Sequence, residues 1–74
     1  NPAKSGHSLN IEWKTSETVN ISVLNTSGQL MMKQAEQFDT GINPVQLNVE
    51  QTGIFTLTIE NRDQVFNQQI IIIK

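Results

Sequence analysis

The segment GIFTLTIE, residues 53–60, decides the fold. Phe55, Leu57 and Ile59 point one way; Thr56, Thr58 and Glu60 point the other. That is the period of a strand with one face buried. The same period recurs on both sides of it. Upstream, VQLNVE (45–50) alternates through Val45, Leu47 and Val49. VNISVLN (19–25) does so through Val19, Ile21 and Val23, and SLNIEWK (8–14) through Leu9, Ile11 and Trp13. Downstream, NRD (61–63) reads as a tight hairpin leading into the last stretch, QVFNQQIIIIK (64–74).

Between these runs lie turn signals. TSET (15–18) separates the first two strands, and NTSG (25–28) places Gly28 where positive φ is expected. QTG (51–53) gives Gly53 a similar backbone role. DTGINP (39–44) breaks the alternation with Gly41 and Pro44. QLMMKQAEQF (29–38) suits helix or strand; its turn-like flanks favour a strand, with Leu30 and Met32 inward. Turn signals about every 8–12 residues, with no clear helix, predict an all-β, Ig-like antiparallel β-sandwich of six or seven strands. The expected core is Trp13, Ile21, Val23, Leu47, Phe55, Leu57 and Ile59. Residues 1–7 read as a linker remnant and 8–74 as one domain.

A chain of 74 residues supports a single domain. At this size about 60% of the unfolded surface is buried, so the core is small. Cysteine is absent, so packing and strand pairing must supply the stability. Hydrophobic residues make 36% of the chain and charged ones only 16%, the rest being rich in Asn, Gln, Thr and Ser, which favours strands over a charged helical bundle. The five cations are scattered and the net charge is −2, which argues against nucleic-acid binding. The opening NPAKSGH has no initiator methionine, and the chain is taken as part of a longer protein.

The terminal IIIIK is far short of the ~18 apolar residues of a membrane span. From Phe66, one face of the last strand carries Gln68, Ile70 and Ile72; the other carries Asn67, Gln69, Ile71 and Ile73. Its end is therefore apolar on both faces. A strand covered on both sides has this character, and so does an edge awaiting a partner. A terminal strand pinned into the sandwich and a terminus that also serves as a recognition tag are compatible readings.

Candidate chemistry is sparse. His7 is the only histidine and has no acid or nucleophile at useful spacing. Asp39 and Asp63 are isolated, so no metal site or other cofactor is expected. Asp39-Thr40-Gly41 matches the aspartic-protease triplet, in which two aspartates share a proton. Here KQAEQF precedes the triplet where such enzymes have apolar strand residues, and nothing like their flap follows. An ordinary turn is the preferred reading. The N-glycosylation patterns at Asn20-Ile21-Ser22 and Asn25-Thr26-Ser27 are read as chance matches in an Asn-rich chain.

The ordered set of punctuators carries more than any one of them. NPA opens the chain, a strand and NTSG turn follow, then GINPVQLNV, GIFTLTI and a terminal FNQQIIIIK. In that order they resemble the type A C-terminal sorting domain of the type IX secretion system, over essentially the whole chain. The resemblance assigns recognition or sorting roles to Pro2 and Ala3 of the opening and to Gly28 of the turn. It adds Gly41 and Asn43 of a G-x-N element, Gly53 and Phe55 of a G-[V/I]-[Y/F] element, and Ile70, Ile71, Ile72, Ile73 and Lys74 of the terminal strand. Asn25 stands where Asp is usual, and Phe55 where Tyr is more usual.

The resemblance implies a non-catalytic transport signal at the end of a secreted cargo of the Bacteroidetes. Its partners would be the N-terminal cargo domains of the same precursor, the type IX outer-membrane translocon and a sortase-like cysteine peptidase. The cargo would pass through the periplasm and finish secreted or at the cell surface, with cleavage of the domain and surface attachment. The alternative is a fibronectin- or Ig-like binding module of a surface enzyme or adhesin, which would have sequence beyond Lys74 where a sorting domain would have a stop codon.

Overall fold

The structure, a computed structural model, describes residues 7–73, with side chains from Ser8 onward. Within these residues six strands follow one another: β1 (His7–Trp13), β2 (Glu17–Leu24), β3 (Leu30–Phe38), β4 (Gly41–Leu47), β5 (Gly53–Glu60) and β6 (Val65–Ile72). They form two antiparallel sheets, β1-β4 and β3-β2-β5-β6, packed as a β-sandwich. The Cα radius of gyration is 12.2 Å, close to the ~11 Å of a compact chain of this length. β1 begins at His7, whose backbone pairs with Leu47. The proposed boundary between linker and domain thus falls beside the first described residue.

The inner faces are those the alternation marked. Val19, Ile21 and Val23 of β2 are fully buried, and Phe55, Leu57 and Ile59 of β5 nearly so. Register places Ile21 opposite Ile59 and Val23 opposite Leu57. From the smaller sheet Val45 and Leu47 close over them, and Val49 continues the phase past the end of β4. Phe38, at the end of β3, is the largest fully buried side chain. Trp13, expected in the core, is half-buried at the seam between the sheets. Its ring meets Phe38 and Phe66 edge-on, at centroid distances of 5.4 and 5.2 Å.

Two segments depart from the expected pattern. Val23 pairs with Met32 but Leu24 pairs with Leu30, so Met31 is an extra residue. Such a bulge reverses the facing of what precedes it, and Leu30, expected inward, is 52% exposed. The second is DTGINP, read as a break. β4 starts at Gly41, and Pro44 lies inside it opposite Asn10. Both strands of a two-stranded sheet are edges, so a proline without an N–H is tolerated where it would disrupt a central strand.

The hairpins follow local chemistry. In the β2–β3 connection the Asn25 side-chain Oδ1 accepts from the backbone N–H of Ser27 and Gln29, at 3.0 and 2.9 Å. The Gly28 N–H closes the turn onto the Asn25 carbonyl, and Gly28 has φ 84°. A type I turn followed by a left-handed residue is the usual three-residue hairpin, and glycine fits that last position without a Cβ penalty. In the β5–β6 hairpin the Asn61 Oδ1 accepts from the N–H of Asp63 and Gln64, at 2.9 and 2.7 Å.

Candidate recognition surface and its supports

Alternation along β6 divides the isoleucine run. Ile70 pairs with Phe55 and Ile72 with Gly53, and both isoleucines are buried. Ile71 pairs with Ile54 on the outer face, where they are 69% and 47% exposed. Ile73, 73% exposed, continues that row. The same end of this face also carries Leu30 and Leu24, which pair with each other. The outer face thus holds an apolar patch at one end, while its middle is Thr56, Thr58, Asn67 and Gln69.

Beneath the patch, the G-[V/I]-[Y/F] element and the terminal strand form one packing unit. Phe55 lies 3% exposed opposite Ile70. Gly53 has φ 154°, and a Cβ there would only touch the Phe55 ring at 3.8 Å. The Gly28 turn caps β2 and β3 at this end of the sheet.

Gly41 and Asn43 sit at the opposite end, where the chain crosses from β3 to β4. Gly41, with φ 114°, permits the sharp change of sheet. Asn43 is buried, and its side chain is fully occupied. Its Oδ1 accepts from the Asp39 N–H at 2.8 Å. Its Nδ2 donates to the carbonyls of Asp39, Gly41 and Ile11, at 2.8, 3.1 and 3.4 Å. A strand that changes sheets leaves backbone groups without ladder partners, and buried groups of that kind must be satisfied. Asn43 does this for the β3–β4 corner and ties it to β1. The spacing of Gly41 and Asn43 is thereby explained by architecture. Pro2, Ala3 and Lys74 lie outside the described residues.

A second constellation escaped the sequence reading. An open cleft of about 600 Å³ runs between β1 and the inner face of β6, lined by Ile11, Trp13, Ile59, Phe66 and Gln68. At its end the Glu17 carboxylate accepts from Trp13 Nε1 (2.7 Å), Thr15 Oγ1 (2.8 Å) and Asn61 Nδ2 (3.1 Å). These bonds, Trp13 foremost, hold its pKa below the ordinary glutamate value. The only sequence signal was a carboxylate four residues after a tryptophan, across a turn. Glu17 joins β1, β2 and the β5–β6 hairpin through three hydrogen bonds to its Oε2.

Among the described residues no three His, Cys, Asp or Glu side chains gather as metal ligands. Asp39 is exposed on the β3–β4 turn, where Ser16 Oγ donates to it at 3.3 Å. No helix of the described residues is long and apolar enough to cross a membrane.

A family model described as "Secretion system C-terminal sorting domain" matches residues 1–74. No curated protein and no solved structure matches the chain.

Proposed function

The chain belongs to the secretion system C-terminal sorting domain family, and from that premise we propose how this copy of the signal works. The family is a type IX sorting signal rather than a catalyst, and its members belong to secreted or cell-surface proteins. This domain directs an N-terminal cargo through the periplasm and across the outer membrane. The translocon reads it, and a sortase-like cysteine peptidase then removes it and attaches the cargo to the surface. The domain itself carries out no reaction.

The observation that carries the mechanism is the split of the isoleucine run. Ile70 and Ile72 lock β6 onto Phe55 and Leu57, so the strand is held at a defined height on the sheet. Ile71 and Ile73 are left to a partner, with Ile54 beside them. An exposed apolar cluster with a polar surround is a common mark of a binding surface. In this reading Gly28, Gly41, Asn43, Gly53 and Phe55 shape the domain, while Ile71 and Ile73 make the contact. Pro2 and Ala3 belong to the opening nearest the cargo, and Lys74 contributes less than the isoleucines.

The test is a fluorescent reporter carrying an inner-membrane signal and this chain at its C-terminus, expressed in a host with the secretion system. The intact chain should deliver the reporter to the surface. The double change Ile71→Thr and Ile73→Thr should leave it in the periplasm with the domain still folded, and Lys74→Ala should have a smaller effect. Surface delivery unchanged by the double substitution would overturn this assignment of the contact residues.

A further inference from the structure

We propose that the free edge of β6 is a self-association site, on which a second copy of this chain docks its own β6 antiparallel. Among the described residues the two sheets end in four strand edges, and three of them carry obstructing features. β3 has the Met31 bulge, Lys33 and the half-buried Glu36 on its inner side. β4 carries Pro44, and β1 carries Glu12. Bulges, prolines and charges are the devices that keep sheet edges from pairing. β6 has none: Val65 to Ile73 contains no charge, proline or glycine. Among the described residues nothing pairs along its outer edge.

Its polarity is symmetric about Gln68. Val65 and Phe66 are apolar; Asn67, Gln68 and Gln69 are amides; Ile70 and Ile71 are apolar. An antiparallel partner centred on Gln68 sets Val65 against Ile71, Phe66 against Ile70, and Asn67 against Gln69. Gln68 meets Gln68 of the second copy on the twofold axis. From Val65 to Ile71 every apolar residue meets an apolar one and every amide meets an amide, while Ile72 falls opposite Gln64 at the end of the strand. An isologous contact requires this self-complementarity.

The backbone phase agrees. The Asn61 N–H bonds the Gln64 carbonyl at 3.0 Å, marking that pair as hydrogen-bonded. By alternation Phe66, Gln68 and Ile70 direct their backbone groups to β5. Val65, Asn67, Gln69 and Ile71 direct theirs outward. In the centred register these outward groups meet one another, and the two Gln68 residues form a non-hydrogen-bonded pair with closely spaced side chains. Each copy keeps its own β6 on β5, giving one eight-stranded sheet. The contact is small beside the ~1,200–2,000 Å² of stable interfaces, so the association is reversible.

The inference does not depend on the export reading and is tested on the 74-residue chain alone. Sedimentation across a concentration series up to about 1 mM should show mass rising from 8.3 kDa towards twice that value. Gln68 is exposed, so Gln68→Lys and Gln68→Glu should fold, as circular dichroism would verify. Each alone places like charges on the axis and should stay monomeric. Mixed in equal amounts they should associate again as a heterodimer. A wild-type chain that stays monomeric throughout leaves this edge to some other strand and overturns the proposal. So would dimers that survive both charge changes, or a mixture that fails to regain association.

Discussion

Asn43 satisfies backbone groups where the chain passes from one sheet to the other, and Glu17 gathers side-chain donors from three elements at one carboxylate oxygen. Truncation of Asn43 would remove the partner of part-buried backbone groups of Asp39, Gly41 and Ile11. Asn43→Ala should therefore lower stability by about 3 kcal/mol, each unsatisfied group costing ~1–3 kcal/mol. Asn43→Asp keeps the shape but sets a carboxylate against the carbonyls of Asp39, Gly41 and Ile11. It should be destabilising too, and urea unfolding of both variants checks this. Glu17 predicts a pH dependence. Its folded pKa is depressed, first by the Trp13 bond and then by Thr15 and Asn61. Its contribution is thus full above the unfolded value and is lost as pH falls through the folded one. Melting temperature should drop over that acid range, and Glu17→Gln should show a shallower drop. Equal acid sensitivity in the two proteins would remove Glu17 from the account.

At the scale of the element, β6 is two strands in one. Its inner residues near the C-terminus are core, and its outer ones are surface. Ile72→Ala should cost about 2–5 kcal/mol, as buried isoleucine truncations do. Ile71→Thr and Ile73→Thr should each stay within about 0.5 kcal/mol of the parent, as changes on an open surface usually do. Guanidinium unfolding of the three single variants separates these outcomes. A large loss from Ile71→Thr would mean that the outer face is packed. β3 teaches a related lesson. Its inner face runs Met32, Gln34, Glu36, Phe38, and the Gln34 Nε2 donates to Glu36 at 2.8 Å. Only its two ends are apolar, so its periodicity was ambiguous in sequence.

The whole molecule has one core shared by both sheets, and it should unfold as one unit. For 74 residues a stability of about 4–11 kcal/mol is the ordinary range. Trp13 sits between the sheets against Phe38 and Phe66, so its fluorescence reports their contact. The fluorescence transition should coincide with that of far-UV circular dichroism, the mark of two-state behaviour. An earlier fluorescence transition would show the β1-β4 sheet opening by itself.

What the sequence determined was local. Phe55, Leu57 and Ile59 declared their common face because adjacent strand residues alternate regardless of what pairs with them. Asn25, Gly28 and Asn61 declared their turns because those hydrogen bonds span at most four residues. The order of the punctuators sufficed to mark the family. Only the tertiary structure decided what depends on residues far apart in the chain. β1 pairs with β4 across the intervening hairpin, which turns Pro44 into a tolerable edge residue and puts Asn43 within reach of Ile11. The Met31 bulge shows only against β2, and it turns Leu30 outward. The isoleucine run was legible as apolar on both faces. Which face was core depended on β5 lying beside it with Phe55 inward, because a period of two assigns residues to opposite faces without saying which one meets the second sheet.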